Sequence, residues 1–301
     1  MPTTSFHTEL AVPVAGGSLT VAVAGPREPG AAPVVLGLHG ITGSHRAFAV
    51  VARHLVARDI TVLVPDLRGR GASASLPGPY GLDTHVADML ATLDYWGAQR
   101  AVFAGHSMGA YVATRLAAAH PGRCAAAVLI DGGLSPRLAM YTDPDVVLET
   151  VLGPALARLR MTFASQEEYR DFWRCHPAFA HHWNADIADY VDYDLVGPPG
   201  ELRSRVNEIA VRADGRDQFD GTAVWAALAA VPRPVVLVRA PRGLADEPCP
   251  LLSEALVEQA KRAVPGMEDL LIDDTNHYLL VFGAREATTV ADVIARVTLA
   301  G

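Results

Sequence analysis

Lysine is almost missing from this chain: Lys261 is the only one among 301 residues. Charged residues make up 19% of the sequence and the formal net charge is −8. No cluster of Lys and Arg therefore supplies the basic footprint that nucleic acid or an anionic membrane surface requires. Cysteine is scarce as well. Cys124, Cys175 and Cys249 are odd in number, widely spaced and free of any C-x-x-C pattern. That argues against a disulfide framework and a cysteine-rich zinc site, so reduced, buried thiols and no metal are the expectation. No uncharged apolar run approaches the roughly 18 residues of a membrane-spanning helix. Residues 1–9 show no basic segment followed by an apolar one, so no secretory signal is expected and the cytoplasm is the default location. Neither an internal repeat nor a long low-complexity tract is present.

Hydrophobic residues, by contrast, make up 50% of the chain, enough for a sizeable core in one large domain or two small ones. Residues 6–14 and 18–24 predict two strands joined at Ala15-Gly16-Gly17, a hairpin signal; a Pro/Gly-rich link over 25–33 follows. The apolar run 34–38 ends at His39-Gly40, as expected of a strand buried on both faces. Helices are predicted over 45–57 and 82–95, and strands over 60–64, 101–104 and 125–130, the last stopping at Asp131. After a long interruption come a strand at 234–239, a helix at 253–263, a strand at 269–272, a loop at 273–278 and a closing helix at 284–299. Such alternation calls for parallel pairing and right-handed crossovers. The expected fold class is α/β, a mostly parallel central sheet flanked by helices, with function at the strand C-terminal ends.

The interruption has its own texture. From Leu134 to Val224 the strand pattern disappears and helical segments dominate, broken by Pro144, Gly153-Pro154, Pro177 and Gly197-Pro198-Pro199-Gly200. The expected division is a core from residues 1–133 and 225–301, with a helical cap inserted over 134–224. Phe163, Tyr169, Phe172, Trp173, Phe179, Trp183, Tyr190 and Tyr193 gather there, either as an apolar underside or as the small core of the cap itself. Trp183 and Tyr190 are the preferred substrate-lining candidates, because each lies beside polar residues where helical patterning is weak.

The chemistry centres on Gly105-His106-Ser107-Met108-Gly109, between the apolar run 101–104 and a helical pattern over 110–119. A serine at a sharp strand-to-helix turn is held in a strained conformation, and flanking glycines remove side chains that would clash. The helix start behind it brings free N–H groups and a positive dipole end, favouring an oxyanion. A serine hydroxyl is a poor nucleophile unless a base takes its proton. Among eleven histidines, His277 is the choice, because its loop after the last predicted strand can fold back over the strand ends. His106 is adjacent to Ser107 and geometrically wrong for the role, while His181 and His182 belong to the cap.

With these residues in view, the chain closely resembles the α/β-hydrolase fold family. The resemblance rests on His39-Gly40-Ile41-Thr42-Gly43-Ser44, Asp66-Leu67-Arg68-Gly69-Arg70-Gly71-Ala72-Ser73, the pentapeptide around Ser107, and Asn276-His277-Tyr278. It implies a Ser–acid–His triad, an oxyanion hole from the backbone N–H groups of Ile41 and Met108, and a cap over the pocket. Asp131, where several capped relatives carry the acid, is the preferred third member. The more common location lies past the strand ending at Arg239, where no acid appears until Asp246 and Glu247; these are the alternatives. The implied activity is hydrolysis of an apolar ester or lactone through an acyl-enzyme, without metal or organic cofactor. Carbon–carbon, amide or thioester cleavage on the same triad stays open, as does a hydrolase-fold receptor with slow turnover. Relatives that open epoxides or remove halogens use an aspartate at the elbow, and Ser107 argues against both reactions. The expected partner is a small apolar substrate, not nucleic acid or membrane.

Overall fold

The computed structural model describes residues 6–135 and 143–300, apart from Arg27, Pro29 and Arg233. Most of the N-terminal stretch inspected for a signal, part of the 25–33 link, and residues 136–142 of the expected insertion lie outside the described residues.

In chain order, β1 (Thr8–Val14) and β2 (Gly17–Ala24) form an antiparallel hairpin, and β3 (Val34–Leu38) follows. Next come α1 (Ala49–Val56), β4 (Thr61–Pro65), α2 (Leu82–Trp96), β5 (Ala101–His106), α3 (Met108–Ala119) and β6 (Cys124–Ile130). The inserted stretch carries α4 (Pro144–Leu159), α5 (Gln166–Arg174), α6 (Ala185–Asp194), β7 (Leu195–Val196), β8 (Arg203–Ser204), α7 (Glu208–Phe219) and α8 (Gly221–Ala230). The chain then adds β9 (Val235–Arg239), α9 (Glu254–Ala263), β10 (Glu268–Leu271), α10 (Leu279–Phe282) and α11 (Ala284–Leu299).

Eight strands make the main sheet in the order β1-β2-β4-β3-β5-β6-β9-β10. Pairing is antiparallel for β1–β2 and β2–β4 and parallel from β4 through β10. Successive strand residues face opposite sides, and the side chains sort accordingly. Val35, Val102, Val128 and Val236 join the apolar layer under α1 and α11, while Leu36, Phe103, Leu129 and Leu237 join the layer under α2, α3 and α9. Each such buried side chain contributes about 1.5–3 kcal/mol. Helix starts follow from local chemistry: Ser165, Asn184 and Ser253 accept hydrogen bonds from the free N–H groups of α5, α6 and α9.

Four details differ from the sequence expectation. His45–Phe48 is a 3-10 turn, and α1 begins only at Ala49. The inserted stretch is not purely helical, since β7 pairs with β8 and Phe163 bridges Leu202. Helix α8 runs straight through the expected boundary at Val224, because buried Val224, Trp225 and Leu228 hold it and it packs against α3. Of the three thiols only Cys124 is buried; Cys175 and Cys249 are exposed. No helix among the described residues is long and apolar enough to cross a membrane.

Candidate active site

Ser107 sits between the last residue of β5 and the first of α3, with φ 55° and ψ −120°. Such a conformation costs an L-residue about 1–3 kcal/mol. Its backbone is fixed by Ser107 N–H donating to Ile130 O at 2.9 Å and by Ala110 N–H donating to Ser107 O at 3.0 Å. The flanking glycines permit the turn for a steric reason. A Cβ on Gly105 would lie 2.1 Å from Gly109 O, and one on Gly109 would lie 2.0 Å from Leu38 O. The Ser107 hydroxyl does not cap α3; it faces a cavity of about 490 Å³.

Asp131 follows β6 at φ 47°, fully buried. Its Oδ2 lies 2.8 Å from His277 Nδ1, and its Oδ1 accepts from Ala240 N–H at 3.4 Å. A carboxylate only accepts, so Nδ1 carries a proton, and in the neutral imidazole Nε2 then presents a lone pair. His277 lies in the loop between β10 and α10. Asn276 anchors that loop: its Oδ1 accepts from the N–H groups of Tyr278 and Leu279, and its Nδ2 donates to Ala178 O at 3.2 Å. His106 Nε2 donates to the His277 carbonyl at 3.0 Å. Burial, with His277 close by, holds the His106 imidazole neutral, its pKa well below 6.5. His106 thus braces the loop that carries His277.

The other expected acids are engaged elsewhere. Asp246 pairs with Arg242 at 2.7 Å and accepts from Asn276 Nδ2 at 3.1 Å. Glu247 accepts from Ala245 N–H at 2.8 Å while lining the cavity. Ser107, Asp131 and His277 line that same cavity, together with Ile41. Met108 opens α3, so its N–H has no acceptor within the helix.

Of the two expected aromatic liners, Tyr190 is in the cavity wall, its ring 4.8 Å from that of Phe282. Trp183 is not among the lining residues. It is half-buried outside the cavity, with the Arg174 guanidinium 5.0 Å from its ring centre, because the chain between α5 and α6 turns it toward α5. Phe163, Tyr169, Phe172, Trp173 and Phe179 pack on one another and join the apolar layer under α1 and α11, with Phe179 also against Tyr278 and Phe282.

Two buried polar networks tie the inserted stretch to the loop after β4 and the start of α2. Asp66 accepts from His45 N–H, His45 Nδ1, Ala72 N–H and the Tyr193 hydroxyl of α6. Burial would raise its carboxyl, but His45, His39 and Tyr193 hold it down at about 2. Asp214 of α7 accepts from Arg70, from His85 Nε2 at 3.0 Å and from Gly81 N–H at 2.7 Å. Burial again opposes ionisation, and Arg70 and His85 hold the Asp214 carboxyl below the usual range. Sequence reasoning missed Asp214, which carries no motif and lies 144 positions from Arg70. Among the described residues no group of three or more His, Cys, Asp or Glu could hold a metal ion.

A sequence profile of the alpha/beta hydrolase fold matches residues 33–284. Lipase LipV of Mycobacterium tuberculosis is 37% identical over 127 residues, 41% of this chain and 48% of the lipase. Epoxide hydrolase A of the same organism is 36% identical over 132 residues, 43% of this chain and 40% of that enzyme. The chain thus spans less than half the length of these relatives. Among solved structures, E-2-(acetamidomethylene)succinate hydrolase superposes with a TM-score of 0.78 at 19% identity, covering 96% of this chain and 99% of that one. The profile match takes in the sheet from just before β3 to the start of α11, with Ser107, Asp131 and His277 inside it, and the chain belongs to the alpha/beta hydrolase fold family.

Proposed function

We propose that this hydrolase cleaves a carboxylic ester or lactone of a small apolar molecule through an acyl-enzyme on Ser107. One observation carries the reading: a strained serine shares one cavity with a histidine whose far nitrogen lies 2.8 Å from a buried carboxylate. Ser107 Oγ attacks the substrate carbonyl as His277 Nε2 takes its proton, and Asp131 offsets the positive charge that develops on the imidazole. The N–H groups of Ile41 and Met108 receive the oxyanion, each such donor being worth about 10²–10³ in kcat. Collapse breaks the acyl–oxygen bond, and the leaving alkoxide takes the proton from His277. Water, deprotonated by the same nitrogen, then releases the acid.

The 134–224 stretch acts in this reading as a cap that selects the substrate, with Tyr190 in its wall. Apolar side chains such as Leu152, Phe219 and Leu252 line the cavity, which suits apolar acyl or alkyl groups. The lipase relative agrees with an ester substrate. The epoxide hydrolase relative favours a second reading, against which stands the serine at the elbow. A panel of esters, lactones, amides and epoxides offered to the purified protein and to Ser107→Ala tests both. Ester or lactone turnover abolished by Ser107→Ala supports the reading; epoxide opening that survives the substitution overturns it.

A further inference from the structure

Arg70 is completely buried, and its planar guanidinium reaches four groups at once. Nε donates to Ile41 O at 2.8 Å, Nη1 donates to Arg68 O at 2.9 Å and to the Asp214 carboxylate, and Nη2 lies 3.8 Å from Met108 Sδ. Ile41 and Met108 are the two residues whose N–H groups receive the oxyanion in the reading above, on which this inference rests. They belong to different elements, the loop after β3 and the first turn of α3, and one rigid side chain touches both. Holding the Ile41 carbonyl fixes the orientation of that residue in its loop. The sulfur contact sets the same plane against the first residue of α3.

We infer that Arg70 is the positioning residue of the oxyanion-binding pair, and that Asp214 links its alignment to the seating of the inserted stretch. The guanidinium fork is what permits this, since it directs separate N–H groups at Ile41 O and at Asp214 in one plane. A lysine there would supply a single point charge and could not hold both in that geometry. Asp214 lies on α7, within the stretch between β6 and β9, and its remaining bonds go to Gly81 and His85 at the start of α2. A shift of α7 therefore pulls on Arg70, and Arg70 pulls on Ile41. The pair does more than neutralise buried charge, because charge balance alone requires no contact with either oxyanion residue.

The test compares wild type, Arg70→Lys, Asp214→Asn and Ser107→Ala on one p-nitrophenyl ester, each normalised to folded protein. Inhibition by a trifluoromethyl ketone, which adds to the serine and forms an oxyanion, is measured beside that by the matching methyl ketone. Arg70→Lys should lower kcat about 10- to 100-fold, short of the ~10²–10³ for deleting a donor outright, with KM within about twofold. The trifluoromethyl ketone should weaken by the same factor as kcat/KM while the methyl ketone does not. Asp214→Asn should move the same quantities in the same direction, and it carries the test where Arg70→Lys does not fold. A lower Tm with kcat per folded molecule and both inhibition constants unchanged overturns the inference. Turnover in Ser107→Ala overturns the functional reading beneath it; loss in Ser107→Ala with a normal Arg70→Lys overturns the positioning role alone.

Discussion

His277 Nδ1 and Asp131 Oδ2 lie 2.8 Å apart with both side chains buried, and Ala240 N–H approaches the other carboxylate oxygen at 3.4 Å. Asp131→Asn keeps the shape and removes the acceptor that fixes the proton on Nδ1. Its kcat should fall by as much as about 10⁴, the loss seen when a serine-protease carboxylate is so replaced. Asp246→Asn and Glu247→Gln, measured alongside with folding checked, should stay within about tenfold of wild type. A large loss confined to either of those two would move the acid to the later loop.

Ser107 should be the residue labelled by a fluorophosphonate, one equivalent per chain, with turnover stopped. Its φ of 55° adds a second expectation. Ser107→Ala keeps the strain and should leave Tm near wild type. Ser107→Gly should be equally inactive yet more stable by about 1 kcal/mol, a strain relief of ~1–3 less the entropy of about 0.5–1 that glycine adds to the unfolded chain. Thermal melts of the two variants separate these outcomes, and a less stable Ser107→Gly contradicts the strain argument.

Tyr190→Ala should change the ratio of kcat/KM for long-chain over short-chain esters several-fold, because the ring is part of the cavity wall. Trp183→Ala should leave that ratio unchanged and lower stability only, by loss of its packing beneath Arg174. Equal ratios in both variants would remove Tyr190 from the substrate path.

The acid side of the stability curve should depend on His39. Burial lowers its pKa from 6.5 to about 4, and its Nε2 accepts from Leu67 N–H at 3.0 Å, a bond that protonation would break. The folded value lies below the unfolded one, so the stabilisation is fully present above about pH 6.5 and is lost as pH falls through about 4. The linkage amounts to ~3 kcal/mol. Urea midpoints from pH 7 to pH 4 should fall more steeply for wild type than for His39→Gln, and parallel curves would show that His39 carries no such linkage.

The sheet was legible because its evidence is local. Runs such as Val34–Leu38 are short, continuous and apolar, and the Gly105–Gly109 turn leaves little choice of conformation where a Cβ would meet backbone. His277 was legible by its place after the last strand. Asp131 was preferred over Asp246 and Glu247 on the family resemblance alone, because acids follow both strand ends; tertiary geometry sets Asp131 beside His277 Nδ1 and pairs Asp246 with Arg242. Trp183 misled for a related reason: polar neighbours along the chain do not say which way a ring turns between two helices. Asp214 left no trace at all, since its partners Arg70, His85 and Gly81 lie 129 to 144 positions away.

The two halves of the buried acid–imidazole contact are 146 positions apart, and the sheet interior is likewise completed late, since β6 pairs on one side with β9. During synthesis a chain that has made Ile130 must add about a hundred residues before Val235 arrives, roughly 5–20 s at ordinary elongation rates. Through that interval the open edge of β6, a run of Ala, Val, Leu and Ile, is available to any other extended segment. Over the same interval the nascent chain lacks both the strand that pairs with this edge and the imidazole that faces Asp131.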